Sequence, residues 1–131
     1  TENATPKELT IDGKALAVNS NNIRTQNSSV LTGNIRVSAY YPSGSAGGQS
    51  YSKIWDNVVI RHKSNGVMNI LFESTPLEVT ESDTTAFDAV LSVASDGRII
   101  INVTGHASNK VYWTAWVEGV MTGENVPTRI N

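Results

Sequence analysis

The sequence predicts an all-β domain arranged as an antiparallel β-sandwich, and three observations carry that prediction. Apolar residues alternate with polar ones at a period of two over most of the chain, where a helix would repeat them three and four apart. Clusters of Gly, Asn, Asp and Ser punctuate the alternating segments at the spacing of hairpin-linked strands, six or seven in all. Neutral polar residues outnumber the 22 charged ones, ten basic and twelve acidic, which favours strands and turns over helices. A chain of 131 residues fits a single domain, one that hides roughly two thirds of its unfolded surface.

Taken in order, residues 1–28 form an N-terminal cap of short strands. Leu9 and Ile11 alternate before Asp12-Gly13, and Leu16 and Val18 alternate before a run of Asn and Ser. The sandwich then occupies residues 29–123. Its first strand runs from Ser29 to Tyr41, with Ile35, Val37, Ala39 and Tyr41 on the buried face and Asn34, Arg36 and Ser38 on the solvated one. Residues 42–50, rich in Gly and Ser, read as an exposed, flexible loop tip. A strand from Tyr51 to His62 follows, and Lys63-Ser64-Asn65-Gly66 supplies a turn in which positive φ is easy. On the returning strand Met68, Ile70 and Phe72 are expected to share one face.

Leu77 and Val79 mark a short strand after Pro76, and residues 80–85 a polar turn. Phe87, Ala89, Leu91 and Val93 alternate up to Ser95-Asp96-Gly97, and Ile99, Ile101 and Val103 face inward on the way back. The closing strand, Val111 to Val120, sets Trp113, Ala115 and Val117 against Tyr112, Thr114 and Trp116. Residues 124–131, with Pro127, read as a loose tail or a partner-contacting arm.

Composition excludes several function classes. The formal net charge is −2 with no run of either sign, which argues against nucleic acid and against a polybasic membrane anchor. No apolar stretch approaches the roughly 18 residues of a spanning helix, so membrane insertion is not expected. The opening residues Thr1-Glu2-Asn3-Ala4 carry no signal-peptide pattern, and a soluble domain is expected. The sequence has no cysteine, so neither a disulfide framework nor a thiolate metal site is available. His62 and His106 stand alone near strand ends, short of the ligand set that zinc needs. Glu78, Glu81 and Asp83 come closest to a calcium loop but lack its glycine and closing glutamate. No nucleophile turn, phosphate-cradling loop or selected carboxylate pair stands out. The expectation is a domain that is not an enzyme and holds no cofactor or metal.

The remaining signal is a set of aromatic and polar residues suited to binding. Tyr40, Tyr41, Tyr51 and Trp55 flank the glycine-rich loop, where their rings could stack on pyranose C–H groups while Asn, Ser and Gln bond sugar hydroxyls. The competing reading packs the same rings into the core or a subunit interface, and Trp113 and Trp116 are assigned that way. On this basis Trp55→Ala should cost ligand binding and spare the fold, whereas Trp113→Ala should destabilise it severely.

Several short motifs resemble the β-domain near the C-terminus of bacteriophage tail fibres and tailspikes. A Thr5-Pro6-Lys7-Glu8-Leu9 opening precedes a long strand and a variable loop, and Thr85-Ala86-Phe87-Asp88 leads a later strand. Val103-Thr104-Gly105, a small turn, and Trp113-Thr114-Ala115-Trp116-Val117 close the pattern, which spans about residues 5–123. One departure is that Val37-Ser38-Ala39-Tyr40 stands where such domains carry a basic pair. The resemblance implies a jelly-roll or tumour-necrosis-factor-like sandwich that forms a homotrimer at the tip of a virion tail appendage. It implies a non-catalytic role contacting host-surface polysaccharide, soluble and extracellular after release. Apolar residues on both faces of the Trp113 to Val117 segment support an association independently. A carbohydrate-binding module of a secreted glycan-active protein and a ligand-free virion knob are the alternatives.

Overall fold

The computed structural model describes residues 7–9 and 23–124, together with the backbone of 126–130. The described residues form strands β1 (Lys7–Glu8), β2 (Ile23–Arg24), β3 (Ser29–Tyr41), β4 (Gln49–His62), β5 (Met68–Glu73) and β6 (Leu77–Thr80). They are followed by β7 (Asp88–Val93), β8 (Arg98–Thr104), β9 (Tyr112–Gly123) and β10 (Val126–Ile130). All pairings are antiparallel and fall into two sheets, as expected for a β-sandwich. In the smaller sheet β7 lines one edge of β8, while β1 and β2 share the other. The larger sheet runs β10, β9, β3, β4, and the far edge of β4 is shared by β5 and β6.

The inward faces enclose one core. Leu31, Ile35, Val37 and Ala39 of β3 and Tyr51, Trp55, Val58 and Ile60 of β4 meet Ala89 and Leu91 of β7 and Ile99, Ile101 and Val103 of β8. Burying each large aliphatic side chain contributes about 1.5–3 kcal/mol. On β3 the inward positions are odd throughout, as the alternation predicts. On β4 they change phase, from Tyr51 and Trp55 to Val58, Ile60 and His62. The register shift falls at the same level, between Gly33↔Val58 and Ile35↔Trp55, so an irregularity around Asp56 and Asn57 re-aims the second half of β4 inward. Its backbone is met by Ser74: the Asn57 N–H donates to Ser74 Oγ (3.1 Å) and the Asn57 carbonyl accepts from the Ser74 N–H (2.8 Å). Gly33 lies beside this shift, and a Cβ there would sit 2.0 Å from the Glu118 carbonyl oxygen of β9.

A second register shift corrects the expectation for β5. Val59 pairs with Phe72 but Ile60 with Ile70, leaving Leu71 as the extra residue. Met68 and Ile70 keep the inward side while Phe72 turns out to solvent. The predicted turns form as expected, with Gly66 (φ 86°) and Gly97 (φ 95°) at the positive-φ positions. The chain end differs from the loose tail expected of 124–131: β10 pairs along Gly119–Gly123 of β9 as a hairpin. Pro127 is compatible with this because β10 is an edge strand. Of the N-terminal cap, Lys7–Glu8 and Ile23–Arg24 are strands on β8, and the alternation around Ile11, Leu16 and Val18 lies outside the described residues.

Trp55 is 1% exposed, and its indole N–H donates to Glu73 (2.7 Å). The expectation of a fold-neutral Trp55→Ala is therefore reversed. Trp55→Ala should lower unfolding stability by about 3–5 kcal/mol, and by more than Trp113→Ala, whose ring is only partly buried; urea titrations of the two variants check the order.

Candidate functional site

The four aromatic residues flanking the glycine-rich loop separate into two groups. Tyr41, Tyr51 and Trp55 point inward and are buried, which removes them from any surface ligand. Tyr41 and Tyr51 belong to an aromatic seam between the sheets. Phe87 lies 5.7 Å from Tyr41 and 6.2 Å from Tyr51 between ring centroids, and Trp113 meets Tyr51 edge-on at 5.7 Å. The Tyr41 hydroxyl accepts from Asn109 (3.1 Å), and the Tyr51 hydroxyl donates to Glu78 (2.7 Å). Lys53, also turned inward, closes the seam with its ammonium 3.1 Å from Asp88, donating to the Ala89 carbonyl (2.7 Å). Tyr40 points the other way and is 49% exposed.

The loop itself is not the free tip the composition suggests. The Ser45 N–H donates to the Asp83 carboxylate (2.6 Å) and the Ser50 N–H to Glu81 (2.5 Å). Gln49 clasps the same turn, donating to Ser82 Oγ (3.0 Å) and accepting from the Asp83 N–H (2.6 Å). The Ser45 N–H holds the Asp83 carboxyl below its ordinary pKa. Glu81 and Asp83, weighed in the sequence as calcium ligands, thus act as backbone acceptors that fasten the loop. Among the described residues no group of three His, Asp or Glu could hold a metal ion. Tyr40 covers the loop from outside, its hydroxyl donating to Gly47 (3.1 Å), and a Cβ on Gly48 would sit 2.1 Å from that oxygen.

Both histidines are engaged in the architecture. His106 Nδ1 accepts from the N–H groups of Ser108 (3.0 Å) and Asn109 (3.2 Å), shaping the turn before β9. His62 is buried at the end of β4, with Nδ1 3.1 Å from Thr25 Oγ1 and Nε2 unpartnered among the described residues.

Trp113 and Trp116 lie on opposite faces of β9, so they cannot form one interface surface. Trp113 faces the core, and Trp116 is 43% exposed on the outer face of the larger sheet. The same outer face carries the exposed side chains of Tyr40, Tyr112 and Val120. Tyr40 pairs with Tyr112, Ser38 with Thr114 and Arg36 with Trp116 across β3 and β9. Rows continue onto the far strands: Arg36 pairs with Ile54 and Ile54 with Leu77, while Ser38 pairs with Ser52 and Ser52 with Val79. Thr32 lies between Val120 and Val59, and Val59 pairs with Phe72. The result is a half rich in aromatic rings over β9 and β3 and an apolar half over β4, β5 and β6, aliphatic apart from Phe72.

No family model, curated protein or solved structure matches this chain. The likeness to tail-fibre and tailspike domains therefore rests on its short sequence motifs alone. Arg36 lies on the solvated face of β3 as the alternation predicts, whereas Tyr112, Leu77 and Phe72 are not singled out by the sequence as surface residues. The signal for Tyr112 lay in Tyr112, Trp116 and Val120, large apolar residues at the outward phase of β9.

Burial, reinforced by the Glu78 carboxylate, pushes the Tyr51 phenol well above its ordinary pKa of 10.0. The unfolded chain releases that proton near pH 10 while the folded chain keeps it, so this contribution is complete below about pH 10 and is lost as pH rises. Tyr51→Phe should cost about 1 kcal/mol at neutral pH through its lost hydrogen bond. Above about pH 10 it should lose less further stability than the wild type, as denaturation midpoints between pH 8 and 11 would show.

Proposed function

We propose that this domain is a non-catalytic terminal module of a bacteriophage tail fibre or tailspike. In this reading it is a tumour-necrosis-factor-like or jelly-roll sandwich that trimerises a virion appendage and meets host-surface polysaccharide. The observation that carries the association is the outer face of the larger sheet, where Leu77, Val79 and Phe72 stand exposed beside Ile54 and Val59. Contiguous apolar surface of this kind on a domain whose core is already closed marks an interaction site. A non-catalytic role is supported by the engagement of the polar groups: His106, Glu81 and Asp83 all bond backbone N–H groups. The motif Trp113-Thr114-Ala115-Trp116-Val117 contributes one ring to the core and one to the outer face. It therefore ties the tail-fibre resemblance to a strand that serves both.

The exposed rings of Tyr40, Tyr112 and Trp116 favour a second reading, a monomeric carbohydrate-binding module. Mass in solution separates the two. Native mass spectrometry should give three times the 14.1 kDa chain mass, and Leu77→Lys with Val79→Lys should return the protein to a folded monomer. A wild-type monomer at micromolar concentration would overturn the trimer.

A further inference from the structure

We propose that the aromatic half of the outer face binds a carboxylate-bearing polysaccharide, with Arg36 and Lys110 as its anion contacts. The inference rests on the attachment reading above and names the class of glycan.

The site is built from successive rows of the β3 and β9 ladder. Tyr40 and Tyr112, directly paired, form one end; Ser38 and Thr114 form the middle; Arg36 and Trp116 form the other end. Side chains two residues apart on a strand stand about 7 Å apart, so the ring rows are separated by about 14 Å. This spacing suits a few linked sugars, with rings at both ends and exposed hydroxyls between them. Tyr112 is 56% exposed and Trp116 43%, so both rings offer surface to a ligand.

The cations decide the class of ligand. The Arg36 guanidinium lies 5.4 Å from the Trp116 ring centroid, and the Lys110 ammonium 5.2 Å from that of Tyr112. The ion pairs among the described residues involve Lys53 and Arg98, and neither Arg36 nor Lys110 takes part in one. Carboxylates flank the strip, but among the described residues none forms an ion pair with either cation, and Asp56 lies two residues beyond Ile54, the β4 partner of Arg36. Glu118 is the next outward residue of β9 beyond Trp116, opposite Asn34, and Glu81 is held by Ser50. Two cations without carboxylate partners, each held against a ring, complement sugars that carry carboxylates; a neutral glycan would use the rings and leave the charges unmatched. Nucleic acid fits poorly, since two cations on a domain of net charge −2 fall short of a phosphate-tracking patch. A second copy docked face to face on the same strip would set cation against cation.

Affinity electrophoresis of the full chain through gels containing polygalacturonate or neutral dextran tests the inference. Polygalacturonate should retard the wild type, less so as salt rises, and dextran should not. The double variant Arg36→Gln with Lys110→Gln should bind polygalacturonate at least tenfold more weakly. Tyr112→Ala, which keeps both charges, should also weaken it. Absent retardation, equal retardation by dextran, or undiminished binding by the double variant with an unchanged near-ultraviolet spectrum would each overturn the inference. So would a changed oligomer mass in that variant, because the strip would then belong to the subunit interface. A wild-type monomer that still binds polygalacturonate would overturn the trimeric reading and leave this one standing.

Discussion

The domain depends on β4 turning apolar side chains inward in both of its halves, Tyr51 and Trp55 before Asp56 and Val58 and Ile60 after Asn57. β4 is 14 residues long, pairs with β3 on one edge and carries both β5 and β6 on the other. A strand with unbroken alternation would turn Val58 and Ile60 to solvent if Tyr51 and Trp55 faced the core, since a one-residue change of phase exchanges the two faces. The irregularity at Asp56 and Asn57 absorbs that change, and Ser74 meets the Asn57 N–H and carbonyl. Gly33 of β3 lies at the same level, where β9 approaches too closely to admit a Cβ. Packing in the larger sheet thus follows from a local backbone adjustment and one missing side chain.

The fold class was legible because it needs only the period of the hydrophobic pattern. Ile35, Val37 and Ala39, or Ile99, Ile101 and Val103, alternate without interruption and lie where the alternation puts them. The assignment of site residues was less legible, because proximity to a loop says nothing of which way a ring points. Tyr40 and Tyr41 are neighbours in sequence, yet one covers the loop from outside and the other packs against Phe87. Trp55 followed a flexible-looking loop but precedes the phase change, which keeps it inward. A period of two places Phe72 inward, and the extra residue Leu71 breaks that period. Register shifts of this kind depend on pairing partners distant in the chain, which a local pattern does not contain.

The polar residues divide the labour in a way composition alone conceals. Carboxylates of the 81–83 turn fasten a glycine-rich loop by its backbone, so small residues that look disordered are held by acceptors some thirty positions away. Arg36 and Lys110, by contrast, lie over rings on the open face. The same outward phase that leaves β9 with three large apolar side chains supplies a surface that a solitary domain has no structural need for.

The inward lysine of β4 also bears on the exposed edge of the smaller sheet. On β7, the outer strand of the smaller sheet, the Ala89 N–H donates to the Asp88 side chain (2.8 Å) and the Ala89 carbonyl accepts from Lys53 (2.7 Å). An edge strand offers free backbone groups to any passing strand and so invites runaway aggregation. With both groups of Ala89 already occupied, an incoming strand finds no ladder to extend there. Strand addition is thereby discouraged at that point of the β7 edge by a lysine that reaches across from the opposite sheet.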